Sequence, residues 1–265
     1  MDEQRAPFEP SVWKLDPSNK RTELVQVWFA GAHTNVGGGS STKDENGKTG
    51  MYEQLSYIAY VWMLDRVRPY LALDPDELQA QQEDILSIIQ CAPHALAQKD
   101  EPVTKGWIQS GLDFLRGKAS GARDAVYSYA GGKIMDSFTL PYDLLGSREP
   151  REPCALTSEE VAKGIRTGEA VHPSVWYRQE SQRRVGKVKE EDIYQPIAMK
   201  GWEREADAGQ EVRWIKKDAA GNVVKMMPEF EIGKMAKEKS LERWLIDQSW
   251  CDSVHERVHG EWKSS

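Results

Sequence analysis

The stretch "VQVWFAGAHTNVGGGSS", residues 25 to 41, carries the first decision about this chain. Val, Trp and Phe within "ELVQVWFAGA" (residues 23 to 32) suit a pleated, buried strand. His33 follows at once, and then Gly37, Gly38 and Gly39 open a run of loop formers, "GGGSSTKDENGKTG", to residue 50. A histidine between a strand and such a loop admits three readings: a general base, a neighbour of a phosphate-binding loop, or a turn residue capping backbone.

Working outward, Leu55, Ile58, Ala59, Trp62, Met63 and Val67 recur at helical spacing, which predicts an amphipathic helix from Met51 to Arg68, with Pro69 near its end. A second helix is expected at "DPDELQAQQEDILSIIQ", with Asp74 as N-cap, Pro75 in the first turn and Glu77 closing a capping box. Thr157 and Glu160 fit the same box at "TSEEVAKGI". "EVRWIKKDAAGNVVKMMPEF", residues 211 to 230, reads as a hairpin turning at "DAAGN". A last helix is expected from Gly233 to Trp262, with Leu241, Trp244, Leu245, Val258 and Trp262 near one face. The composition shifts after Tyr70, which suggests residues 1–70 as one segment and 71–265 as a helical and hairpin extension.

The 265 residues are 39% hydrophobic, with mean hydropathy −0.65, net charge −7 and an isoelectric point near 5.4. That balance argues against a general nucleic-acid binder, which shows a basic face. The cluster Arg183, Arg184, Lys187 and Lys189 reads as a solvated loop. Cys91, Cys154 and Cys251 are far apart and odd in number, so a disulfide framework is not expected and a reducing, cytoplasmic setting is. "MDEQRAPFEP" has no apolar core of a signal peptide, and "YIAYVWML" is far too short for a membrane span.

Two motifs compete with a general-base role for His33. "GKT" at Gly47 to Thr49 follows a strand and precedes a helix, as in a P-loop. Thr42 stands where that motif needs Gly, and Asp44 and Glu45 would repel phosphate. "HERVH", His255 to His259, matches H-E-x-x-H and would set two imidazoles on one helix face for zinc. Six residues remain beyond His259 to supply a third ligand, and His172 upstream is the alternative. The same two histidines lie on the apolar stripe of the last helix, so packing also accounts for them. No cofactor is expected.

The residues from Trp28 to Ser40, "WFAGAHTNVGGGS", resemble W-F-x-G-x-H-S-D-V-G-G-G-Y of an uncharacterised α/β-hydrolase family, common in fungi, whose bacterial members include type VI secretion phospholipase effectors. "DEQRAPFEPSVW" from Asp2 is similar to that family's D-E-x-R-x-x-F-x-P-x-x-W, and "LSYIAYVWMLDRV" looks like its next segment. "VHPSVWYR" from Val171, "YQPIAMKGW" and "MPEFEIG" look like later family segments. The resemblance implies the C-terminal part of an α/β-hydrolase-like domain with few strands, and it makes His33 the triad histidine. Asn35 stands where the family has Asp, Thr34 replaces Ser and Ser40 replaces Tyr.

The chain order in such hydrolases is Ser, then acid, then His. G-x-S-x-G does not occur here, and "GKASG" has its serine one place late. The resemblance places the elbow and the acidic partner before the D-E-x-R stretch, which here starts at Asp2. Two expectations follow. One is an incomplete serine esterase or phospholipase acting on an ester or lipid once completed. The other is a non-catalytic interaction protein that kept this half of the fold for a protein partner.

Overall fold

The computed structural model describes residues 1–39, 53–85, 130–132, 134, 148–185, 189–206, 211–232 and 240–248. In chain order the elements used below are β1 (Gln26–Trp28), α1 (His33–Gly37), α2 (Glu53–Val67), α3 (Ser158–Ala162), β2 (Glu169–Val171), α4 (Ser174–Val185), β3 (Trp202–Glu205), β4 (Arg213–Lys217), β5 (Val223–Pro228) and α5 (Leu241–Gln248). Residues 75–85 are also helical.

The chain packs as two units. One gathers Met1–Thr34, Ile134–Val175 and Gln195–Ile232, and the other gathers Asn35–Lys133, Trp176–Tyr194 and Gly233–Ser265. Residues 1–70 contribute to both.

In the first unit, the strand inside the quoted stretch is β1, shorter than the apolar run that announces it. It pairs in parallel with β2, with Gln26, Val27 and Trp28 opposite Glu169, Ala170 and Val171. Phe29, Ala30 and Ala32 beyond it are buried without belonging to the strand. Parallel neighbours need a long crossover, and more than a hundred residues separate these two, so sequence proximity gives no hint of the pair. Gly168 lets β2 begin. Its φ is +60°, and a Cβ there would lie 2.1 Å from the Leu24 carbonyl oxygen. Its own carbonyl accepts the Gln26 N–H at 2.9 Å, which sets the register.

The hairpin expected over 211–230 is present as β4 and β5, and β3 adds a third strand in the order β3-β4-β5. The turn lies at "DAAGN": the Asp218 carboxylate accepts the Ala220 and Asn222 N–H groups at 2.9 Å each, and those bonds hold it below the usual carboxylate range. Trp202, Trp214, Ile215 and Met227 are buried. Glu229 beside them is partly buried, with both carboxylate oxygens engaged. It takes both arms of Arg204 at 2.7 and 2.8 Å and the Trp214 indole N–H at 3.1 Å. Phe230 N–H donates to the Val171 carbonyl at 2.8 Å, joining this sheet to β2. The capping box at α3 forms as expected, with Thr157 and Glu160 each accepting the other's backbone N–H.

In the second unit, α2 confirms the helix expected from residue 51 to 68, with its buried face slightly rotated. Leu55, Ile58, Ala59, Val61 and Trp62 are buried, while Met63 is half exposed and Val67 is not in the core. Asp74 caps residues 75–85 through the Asp76 N–H at 3.0 Å, but Glu77 accepts from Gln81 rather than closing a box. The helix expected to run from Gly233 to Trp262 is interrupted at Ser240, which is not helical and accepts the Arg243 N–H on its hydroxyl; Leu241–Gln248 is the helical part described, with Leu241, Leu245 and Ile246 buried and Trp244 only partly so. Its first turn is capped from α2. Asp65 accepts the Ser240 hydroxyl at 2.9 Å and the Leu241 and Glu242 N–H groups at 3.0 Å each.

Gly168→Ala is expected to destabilise the protein by about 3 kcal/mol, since a clash with backbone adds to the left-handed φ. Gly201 has φ +78° with nothing near a would-be Cβ, so Gly201→Ala should cost only about 1 kcal/mol. Urea unfolding of both variants checks this, and equal losses would show that the β1–β2 approach is not as tight as described.

Candidate active site

His33 does not sit in a loop, as the glycine run suggests; it is the first residue of α1, a single helical turn ending at Gly37. Gly38 and Gly39 then take φ of +73° and +76°. Residues 40–50 lie outside the described residues, and with them the "GKT" segment and Ser40.

What faces His33 comes from the chain's first residues. Asp2 N–H donates to the Gly31 carbonyl at 3.0 Å, and Gly31 N–H donates back to Asp2 Oδ2 at 2.7 Å. The Met1 amino group donates to the Phe29 and Gly31 carbonyls at 3.0 and 2.9 Å. On the other side, Glu149 N–H donates to the Gln4 carbonyl at 2.8 Å, and Arg151 donates to the Arg5 carbonyl at 2.5 Å. Residues 1 to 5 are thus fixed along 29 to 33, and Glu3 meets His33 across 30 positions of sequence.

Glu3 Oε2 lies 2.6 Å from His33 Nδ1. Its other oxygen accepts the Gln4 and Arg5 N–H groups at 3.1 and 2.9 Å and Arg5 Nε at 3.0 Å. Arg5 Nη2 reaches Glu3 Oε2 at 3.1 Å and stands 2.8 Å from Nδ1 and 3.3 Å from Nε2 of His33. Nδ1 cannot donate to Glu3 and accept from Arg5 together. The closer, anionic partner fixes Nδ1 as the donor, and Arg5 serves Glu3. Nε2 then carries the lone pair. Phe8 stacks on the imidazole with centroids 4.5 Å apart, and the Arg5 guanidinium lies 4.1 Å over the Phe8 ring. The His33 side chain is 38% exposed while Glu3 is only 7% exposed, so a sheltered carboxylate orients an accessible base. Among the described residues, no hydroxyl reaches hydrogen-bond distance of His33.

Sequence reading found His33 but no acid for it. Glu3 was visible there only inside the D-E-x-R resemblance. The sequence shows Asp2, Glu3 and Arg5 clustered in a segment that turns out to bury all three. Asn35 is fully buried. The Asp that the resemblance would place there would be a buried charge, whereas an amide brings none.

Of the other candidates, those among the described residues do not join this site. His172, the conceivable zinc ligand, is buried against Phe29 at 4.6 Å and Phe230 at 6.2 Å, with Nδ1 2.8 Å from the Ser174 hydroxyl. No cluster of three metal-ligating side chains occurs among the described residues, and His255 and His259 lie outside them. The basic cluster is not the loop that was expected: Arg183 and Arg184 belong to the last turn of α4, where Arg183 pairs with Glu190 at 3.0 Å, while Lys189 pairs with Glu191 at 3.2 Å; the side chain of Arg184 and all of Lys187 lie outside the description. Cys154 donates to the Met226 carbonyl, and burial, with Glu169 beside it, pushes its thiol up to about 12. Cys91 and Cys251 are outside the described residues, and no helix among those described is long and apolar enough to cross a membrane.

Residues 1–66 match the family model of the type VI secretion (T6SS) phospholipase effector Tle1-like catalytic domain, about a quarter of the chain. No curated protein and no solved structure matches it. The match covers Glu3, Arg5, Phe8 and His33, and it supports the phospholipase-like hydrolase family that the W-F-x-G-x-H resemblance implied.

A short, charge-assisted bond gives a far-downfield Nδ1–H proton resonance, which is expected for His33 near neutral pH and should move upfield in Glu3→Gln. Its absence from the parent spectrum would mean the pair does not form. At pH 8, the native Cys154 thiol should alkylate on the order of a thousandfold more slowly than in the unfolded chain, by mass spectrometry of its peptide.

Proposed function

We propose that this chain carries the general-base histidine of a phospholipase-type ester hydrolase of the α/β-hydrolase class. Glu3 is the orienting acid, and the serine nucleophile comes from polypeptide outside this sequence. The observation that carries the reading is the 2.6 Å contact between Glu3 Oε2 and His33 Nδ1, which leaves Nε2 as the base on an accessible ring. Glu3 precedes His33, the acid-then-histidine order of α/β-hydrolases. The parallel β1–β2 pair, with His33 five residues beyond Trp28, is consistent with that class.

The chemistry follows from the geometry. A serine Oγ attacks the ester carbonyl of a lipid acyl chain while His33 Nε2 takes its proton. Glu3 stabilises the imidazolium, which then protonates the departing alcohol. Water, deprotonated by the same Nε2, releases the fatty acid from the acyl-enzyme. Arg5 and Phe8 keep the ring in place through both steps. One observation favours the interaction-protein reading instead: this sequence contains no G-x-S-x-G.

The test is fluorophosphonate labelling and phospholipid hydrolysis by the polypeptide made from the native locus. His33→Ala is expected to lower both rates by about 10²–10⁴-fold, and Glu3→Gln by about 10²-fold or more. Undiminished labelling of His33→Ala would remove His33 from the mechanism. A folded native product that never labels would favour the binding role.

A further inference from the structure

Away from His33, residues 15–24 and 166–168 enclose a groove of about 440 Å³. Lys20, Arg21 and Arg166 line it, over Leu15 and Leu24, with Glu23 as the one carboxylate. None of the three cations has an ion-pair partner among the described residues, although the chain as a whole carries −7. The nearby polar groups are occupied elsewhere. Asp16 is bound to Ser18 through its N–H at 2.8 Å and its hydroxyl, Lys14 pairs with Glu160 at 2.6 Å, and the Asn19 side-chain Oδ1 accepts the Arg21 and Thr22 N–H groups at 3.0 and 3.1 Å.

The walls are tied together. Leu15 and Arg166 exchange backbone bonds at 2.7 and 3.1 Å, and Gln26 bridges the Trp13 and Thr167 carbonyls. Trp13, two residues before Leu15, is 72% exposed. In an extended segment these two side chains share a face. An exposed indole beside an apolar-floored cationic groove is the arrangement of a protein resting at a lipid–water interface.

We propose that this groove binds the phosphate headgroup of an anionic phospholipid, with Lys20, Arg21 and Arg166 on the phosphate and Trp13 in the interfacial layer. Screening at physiological ionic strength, over about 8 Å, lets this local cluster act against the chain's net negative charge. The proposal stands on the groove's own residues, so the His33 reading can fail without it.

Cosedimentation of the full chain with phosphatidylcholine vesicles, with and without phosphatidic acid, tests it. Binding is expected only with phosphatidic acid, weakening as salt is added. The exposed triple change Lys20→Glu/Arg21→Glu/Arg166→Glu should lower it about a hundredfold, with unchanged circular dichroism and melting. Trp13→Ala should weaken it several-fold. Equal binding to phosphatidylcholine alone, or an unaffected triple variant, would overturn the proposal. So would inorganic phosphate stripping the protein from vesicles while Trp13→Ala has no effect, which would mark a free-phosphate site.

Discussion

The carboxylate of Asp2 holds this arrangement together. One oxygen accepts the Gly31 N–H at 2.7 Å and the other accepts the Ile197 N–H at 3.0 Å, so a single buried charge ties three distant segments. Hydrogen bonds to a charged group contribute about 1.5–3 kcal/mol each, more than neutral ones. With Asp2 fixed, Glu3 has one place to go, and His33 occupies it. Arg5 then closes on Glu3 and Phe8 on His33, so four side chains acquire their positions from one backbone alignment.

Burial makes that alignment demanding. Asp2, Glu3 and Arg5 are all nearly out of water. Such groups are tolerated only when their hydrogen-bonding capacity is met. The backbone N–H groups of Gln4 and Arg5 on Glu3, and the Arg151 guanidinium on the Arg5 carbonyl, meet it. The same segment that stabilises the unit therefore also fixes the tautomer of its accessible histidine.

What was legible in the sequence was what local chemistry decides. The capping box at Thr157 and Glu160, the Asp218–Asn222 turn and the periodicity of α2 each need only residues a few positions apart. The W-F-x-G-x-H segment flagged His33 for the same reason. What could not be read depends on distant pairing: β2 beside β1 and Glu3 beside His33. The α1 turn at His33 was missed because glycine-rich sequence signals a loop, whereas the single turn ends just as the left-handed glycines begin. Met63 and Val61 exchanged places because periodicity gives a helix face only to within one residue.

The cap on α5 has a consequence for how the second unit opens. The first two N–H groups of that helix, those of Leu241 and Glu242, are satisfied by Asp65, a residue of α2 that is itself buried. Fraying α5 would leave that carboxylate desolvated and without those donors, while losing α2 would leave the helix start bare. The two helices are therefore coupled into one opening, and the amides that it exposes share an opening free energy while each exchanges at its own intrinsic rate.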